Sequence, residues 1–331
     1  MLIACIASLL VGSTPPYDAF HPGELWLDTS GNRIRAHQPH IFGPVNGTFY
    51  WYGSSHVGSS DGEAGIVNVY TSQDLYNWDF RGAAYNATAA GTGQPARPSM
   101  LGRHPRTGQY VLWAKGGKSF QSAVAPSPLG PFRLAGTYSP TASTKAGDSA
   151  AFLDPVSGTQ AYYAYSQKPD AAGTLRAMKV LRLDDATWTA PDTSGGALPA
   201  STVDGHLEAP APFYSRADGK YRIWASHTSG WKPNNAEVLV ADAAWGEPWA
   251  GAGNPSGSRT TFGTQGSHIL PLGMANGTQR LLYMGDRYEP YIATAEGSRY
   301  IMLPLEVRPD GTVKLFNVSG AWRIEDWPTE D

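Results

Sequence analysis

Glu208-Ala-Pro-Ala-Pro-Phe-Tyr214, followed by Gly219-Lys-Tyr-Arg-Ile-Trp224, is the stretch on which the reading of this chain turns. It passes from one polar residue through an apolar pair to a Gly-led turn and then an aromatic-rich run. The same plan occurs four more times. His37 stands before Ile41-Phe42 and Gly47-Thr-Phe-Tyr-Trp-Tyr52, and Ala96 before Met100-Leu101 and Gly108-Gln-Tyr-Val-Leu-Trp113. Asp148 stands before Phe152-Leu153 and Gly158-Thr-Gln-Ala-Tyr-Tyr163, and Gln265 before Ile269-Leu270 and Gly277-Thr-Gln-Arg-Leu-Leu-Tyr283. Successive lead positions lie 59, 52, 60 and 57 residues apart. Units of this length, each with several short strands, predict an all-β radial array: a five-bladed β-propeller with one blade per unit. The first strand of every blade then lies at the axis, so the five lead residues are expected around one pocket. Two of them, Asp148 and Glu208, are carboxylates, the minimum equipment for acid chemistry on a bound ligand.

Composition agrees with one turn-rich β body. The chain has 331 residues, 41% hydrophobic and only 16% charged, with 38 Gly and 26 Pro. A propeller can reach this length without splitting, and no linker marks an appended module. The formal net charge is -3 and there is no Lys/Arg run, which argues against nucleic acid as a partner. The 11 Trp and 17 Tyr must be mostly blade core, but some of these flat rings could stack on a sugar face.

Leu2 to Val11 form an apolar run ending at Gly12-Ser-Thr-Pro-Pro16, placed like the h-region of a secretory leader and too short to span a bilayer. The basic residues that usually precede such a run are missing. Residues 1–20 are therefore expected to be a signal peptide or a disordered N-terminus, and 21–331 the propeller. Sequons at Asn46, Asn86, Asn276 and Asn317 suit a secreted glycoprotein. The single cysteine, Cys5, lies in the apolar run, leaving no disulfide framework, thiolate metal site or Cys nucleophile. No cofactor, no metal and no membrane partner are expected, and the protein is expected to be a monomer.

Several motifs resemble a known family. Ser72-Gln-Asp-Leu-Tyr-Asn-Trp78 and Ser127-Pro-Leu-Gly-Pro-Phe132 are similar to blade signatures of the five-bladed family 43 glycoside hydrolases. Asp28-Thr-Ser-Gly-Asn-Arg-Ile-Arg-Ala-His37, Leu207-Glu-Ala-Pro210, Ala225-Ser-His-Thr-Ser-Gly-Trp231 and Tyr283-Met-Gly-Asp-Arg287 resemble its exo-β-1,3-galactanase branch, and the resemblance runs from about residue 24 onward. It implies that Glu208 is the general acid, since a glycosidic oxygen leaves poorly unless protonated. Asp148 would modulate that acid and hold sugar hydroxyls. Gln265 would stand on the opposite side of the anomeric carbon, where an inverting hydrolase normally has a carboxylate base. An amide there can position water but is a poor base, and the branch suggests a role as an imidic tautomer. His37, Arg97, His227, Thr228, Trp231, Asp286 and Arg287 would bind substrate. Three carboxylates of the branch pattern are absent: Ala96, Ser54 and Ser149 stand where glutamates are expected.

Each residue also has a plainer reading. Glu208 could be a strand-start ion-pair partner, Asp148 a turn cap, Gln265 a buried amide tying blades together, Trp231 core, and the histidines satisfied pocket residues. The function expected is secreted, inverting, exo-acting hydrolysis of β-1,3-galactan or arabinogalactan side chains, on a polysaccharide or oligosaccharide substrate. The alternatives are an arabinofuranosidase or xylosidase of the same family, or a carbohydrate-binding propeller that has lost turnover.

Overall fold

The computed structural model describes residues 15–55, 65–91, 95–117, 119–139, 146–167, 177–194, 197–201, 206–246, 248–290 and 299–328. Residues 1–14 of the expected leader, Cys5 among them, lie outside these. Among the described residues, twenty strands form five four-stranded antiparallel sheets. Blade one holds β1 (His37–Val45), β2 (Thr48–Ser54), β3 (Ile66–Ser72) and β4 (Asp79–Asn86), and blade two holds β5 (Pro95–Arg103), β6 (Tyr110–Gly116), β7 (Ser119–Ala125) and β8 (Arg133–Tyr138). Blade three holds β9 (Ala146–Leu153), β10 (Ala161–Gln167), β11 (Ala177–Arg182) and β12 (Ala197–Ser201). Blade four holds β13 (Leu207–Ser215), β14 (Lys220–His227), β15 (Ala236–Ala241) and β16 (Ala250–Gly251). Blade five holds β17 (Gln265–Gly273), β18 (Gln279–Arg287), β19 (Arg299–Val307) and β20 (Val313–Leu315). The first strands touch in a closed circuit, β1 on β5, β5 on β9, β9 on β13, β13 on β17 and β17 back on β1. That circuit is the axis of the five-bladed propeller expected from the repeat.

The repeated glycine has one cause. Between the first and second strand of each blade the chain turns through a left-handed residue: Gly47 (φ 78°), Gly108 (69°), Gly158 (66°), Gly219 (72°) and Gly277 (82°). A side chain at that φ is strained, so the same residue recurs. The aromatic run that follows fills the seams between blades. Trp51, Trp113, Tyr163, Trp224 and Tyr283 are each 0–1% exposed. Trp113 and Tyr163 share the core between blades two and three, and Trp224 and Tyr283 that between four and five. Burying one such ring stabilises the fold by roughly 1.5–3 kcal/mol, so the seams supply much of the cohesion.

Blade one meets blade five in a cluster of Ile41, Trp51, Trp78, Leu270, Met284 and Tyr300, closed from outside by Phe20 and Trp322. Phe20 and Trp322 pair as an isolated antiparallel bridge with N···O distances of 2.8 and 3.1 Å, and Arg323 is ion-paired with Asp18. The Ser72–Trp78 motif also serves this closure. Asp74 accepts the backbone N–H groups of Tyr76 and Asn77 at 2.8 Å, Trp78 Nε1 donates to the Leu75 carbonyl, and Asn77 exchanges two hydrogen bonds with the Tyr17 backbone. Tyr17 and Phe20, on the leader side of the expected boundary at residue 20, are thus buried against the body.

Candidate active site

The five lead residues occupy the first, second or third position of β1, β5, β9, β13 and β17. Their strands are irregular there. Register breaks fall between His37 and His40, Ala96 and Ser99, Glu208 and Ala211, and Gly266 and His268, with another opposite the start of β9. In three blades the residue after the lead position is left-handed without being glycine: Gln38 (φ 53°), Arg97 (51°) and Ala209 (55°). Such a conformation costs on the order of 1–3 kcal/mol and persists only where the surroundings enforce it. The bulge interrupts the two-residue alternation of the strand and re-aims the side chains on either side of it.

The surroundings are a ring of contacts that crosses blades. The Gln38 N–H donates to Asp286 Oδ2 at 3.1 Å, Gln38 Oε1 accepts the Arg97 N–H at 3.2 Å, and the Arg97 guanidinium reaches the Gly266 carbonyl at 3.4 Å. Blades one, two and five are joined in this way. A Cβ on Gly266 would lie 2.5 Å from Trp224 Nε1, so glycine is what lets blade four pack against the residue beside Gln265.

Asp286 anchors the ring. It has no exposed surface, accepts the Ser267 hydroxyl at 2.9 Å and lies 3.8 Å from His37 Nδ1. The Tyr288 hydroxyl also hydrogen-bonds to it; burial first, and then the Asp286 charge, push that phenol well above its ordinary range, so Tyr288 stays a neutral donor. His37 is 3% exposed and stacks on Tyr300, with Nδ1 3.2 Å from the Tyr300 hydroxyl.

Gln265, the cross-strand partner of Asp286, donates from Nε2 to the carbonyls of Gly230 and Lys232, both at 2.7 Å. A reversed amide would set its oxygen against two carbonyls, so the orientation is unambiguous. The bonds pin the loop after β14, which Asn234 also ties through the His227 carbonyl and Ser229. Trp231 stands on this loop, 41% exposed, with its ring edge-on to Tyr288 at 4.9 Å. His227 and Thr228 lie at its root, both half-buried.

Glu208 is half-buried opposite Ser226, and Asp148 is half-buried with Oδ1 3.5 Å from Lys115 Nζ. Arg287 points elsewhere: it donates to the Phe262 carbonyl at 3.0 Å and packs against Gly23, the opposite face of β18 from Asp286. Ser149 is filled in by the Tyr163 hydroxyl at 2.6 Å. Lys115, Gln38 and Tyr288, which contact Asp148 or Asp286, are not singled out by the motifs. Among the described residues, no three His, Asp or Glu converge as metal ligands, and no helix is long and apolar enough to cross a membrane.

Beyond the lead residues the axis opens into a hollow of about 350 Å³ lined by the later halves of all five first strands. His40 and His268 sit in it with ring centroids 4.2 Å apart. Burial lowers both imidazoles, His40 to about 4.

Half-buried Asp148 and Glu208 and the anchored Gln265 thus stand at the starts of three neighbouring first strands, with the exposed Trp231 on the loop that Gln265 holds, a set of groups suited to acid chemistry on a sugar. Comparison with solved structures agrees. The fold matches a family 43 β-1,3-galactosidase solved with galactodeoxynojirimycin at 26% identity and a TM-score of 0.78, over 92% of this chain and 100% of that one. It matches an exo-β-1,3-galactanase from Phanerochaete chrysosporium, solved with β-1,3-galactotriose, at 28% identity and 0.76, over 91% of this chain and 67% of that one. An exo-β-1,3-galactanase from Clostridium thermocellum, at 23% identity and 0.76 over 92% and 67%, bears on the fold alone. No family model and no curated protein sequence matches the chain. The resemblance to family 43, read first from motifs, thus holds in three dimensions across most of the chain, and the enzyme class it defines is glycosidase.

Proposed function

We propose that this protein is a secreted, exo-acting, inverting hydrolase of β-1,3-linked galactan or arabinogalactan side chains. The observation that carries the reading is the delivery of Asp148, Glu208 and Gln265 to one axial circuit by strands of three successive blades, in a fold shared with enzymes described as acting on β-1,3-galactan. Glu208 protonates the glycosidic oxygen. Asp148, held as an ion pair with Lys115, accepts sugar hydroxyls. Trp231 offers an apolar face at the rim, where the C–H groups of a terminal sugar stack.

Gln265 orients the water. Its two carbonyl partners each require an N–H, and an imidic tautomer has one N–H on that nitrogen rather than two. The resting site therefore favours the amide, whose oxygen is the group left to accept a hydrogen bond from water. An oxocarbenium-like centre demands less of its nucleophile than a neutral carbon, so a held water suffices on the face opposite the leaving group, and the oxonium formed on attack gives up its surplus proton to bulk water. Export is supported by the apolar run at the N-terminus and by the exposure of Asn46, Asn86, Asn276 and Asn317.

The test is incubation with β-1,3-galactan, arabinan and xylan, with the first product followed by NMR. Galactose released from chain ends with inverted configuration, and turnover reduced at least about a hundredfold in Glu208→Gln, are expected. Release of arabinose or xylose alone, a retained configuration, or an undiminished Glu208→Gln overturns the reading.

A further inference from the structure

Four of the five lead positions carry a polar head group; the fifth, Ala96, ends in a methyl. Its cross-strand partner is Lys115, which lies on the same face of blade two. The ammonium reaches over the gap toward the next blade and stops 3.5 Å from Asp148 Oδ1. That is longer than the ~2.7–2.9 Å of a good charge-assisted hydrogen bond. Both side chains keep access to solvent, 17% for Lys115 and 23% for Asp148. Next to Ala96 in β5 is Arg97, 5% exposed, whose Nε is buried without a hydrogen-bond partner among the described residues and whose guanidinium reaches the Gly266 carbonyl at 3.4 Å. The blade-two sector of the pocket thus presents two cations and has no carboxylate at its own lead position. Asp148 is engaged by Lys115, and Asp286, with no exposed surface, by Gln38, Ser267 and Tyr288.

Building on the glycosidase reading, we propose that this sector is a subsite for a carboxylate-bearing sugar, a uronic acid, with Lys115 as the specificity-determining residue. The acid of the substrate occupies the space above the Ala96 methyl and takes the ammonium donors that Asp148 holds loosely. Arg97, always charged, supplies the standing positive field behind it. A neutral sugar at this place meets two cations and gives them no counter-charge.

The experiment uses the full chain carrying Glu208→Gln, so that ligands are bound without turnover. Calorimetry compares a β-1,3-galactobiose bearing glucuronic acid at O6 of its terminal galactose with the same oligosaccharide after reduction of the uronic acid to neutral glucose. The acidic form is expected to bind about tenfold more tightly at low salt, the scale of one charge-assisted contact, with the ratio falling as salt rises. Adding Lys115→Met should bring the ratio near one, and Lys115→Arg should preserve most of it. A ratio near one in the Glu208→Gln protein, or a ratio that survives Lys115→Met, overturns the subsite while leaving neutral galactan hydrolysis by the parent intact. Failure of both oligosaccharides to bind, with no sugar released from neutral galactan by the parent, overturns the glycosidase reading and the subsite together.

Discussion

Acid should loosen this protein through the two histidines in the axial hollow. His40 titrates at about 4 in the folded chain against an ordinary value of 6.5, because burial disfavours its charged form. Above pH 6.5 it is neutral folded or unfolded and contributes no pH dependence. Below 6.5 the unfolded chain takes up the proton and the folded chain does not, so stability falls as pH drops toward 4. The full loss is 6.5 − 4, or 2.5 pH units, at about 1.36 kcal/mol each, on the order of 3 kcal/mol. His40 borders the hollow rather than dry core, and water there offsets part of the desolvation, so about 2–3 kcal/mol is the working figure. His268, lowered by burial and by the neighbouring His40, adds to the slope in the same direction. Lowered carboxylates such as Asp74 and Asp218 lose their contribution only at more acid pH, near and below their ordinary 3.8. Urea unfolding followed by Trp fluorescence at steps from pH 7.5 to 4 measures the effect. His40→Gln, which keeps a donor for the Met100 carbonyl, should flatten the profile by the His40 share. A parent whose stability is level from pH 6.5 to 4.5, or a His40→Gln protein with the parent's slope, refutes the argument.

Gln265→Glu should not create a better base: it sets a carboxylate against the Gly230 and Lys232 carbonyls, and activity should drop at least about tenfold with greater protease sensitivity of the 229–235 loop. Trp231→Ala should raise KM several-fold on galacto-oligosaccharides with a smaller change in kcat, since the ring is an exposed platform; equal kinetics to the parent would remove it from the site. Phe20→Ala, deleting a ring 1% exposed at the seam of blades one and five, should cost about 3–5 kcal/mol in denaturant unfolding without shifting KM in the protein that remains folded.

The ring was legible because its cause is local and repeated. A glycine turn, an aromatic seam residue and a lead residue recur in each unit, and each answers to backbone sterics or to burial that one blade displays as well as five. The site was only partly legible. Lys115 becomes visible once the pairing Ala96–Lys115 is known, and Tyr288 once β18 is known to carry Asp286 inward, because these depend on register rather than on any motif. Asp286 and Arg287 read together as one motif, yet adjacent strand residues face opposite ways: one is sealed beneath the pocket and the other braces the Thr261–Gly263 turn. Ser72–Trp78, useful as a family signature, is in physical terms a capped turn that secures the seam.

The bridge between Phe20 and Trp322 brings the two ends of the folded body together at one seam, some 300 residues apart in sequence. The order of the blades along the chain is therefore separable from their order around the ring. A short peptide joining the two ends, with new termini cut in the exposed hairpin at Asn276-Gly277, would leave every lead residue on the same first strand and the same neighbours beside it. The pocket belongs to the circle, and where the polypeptide happens to begin is free for an engineer to choose.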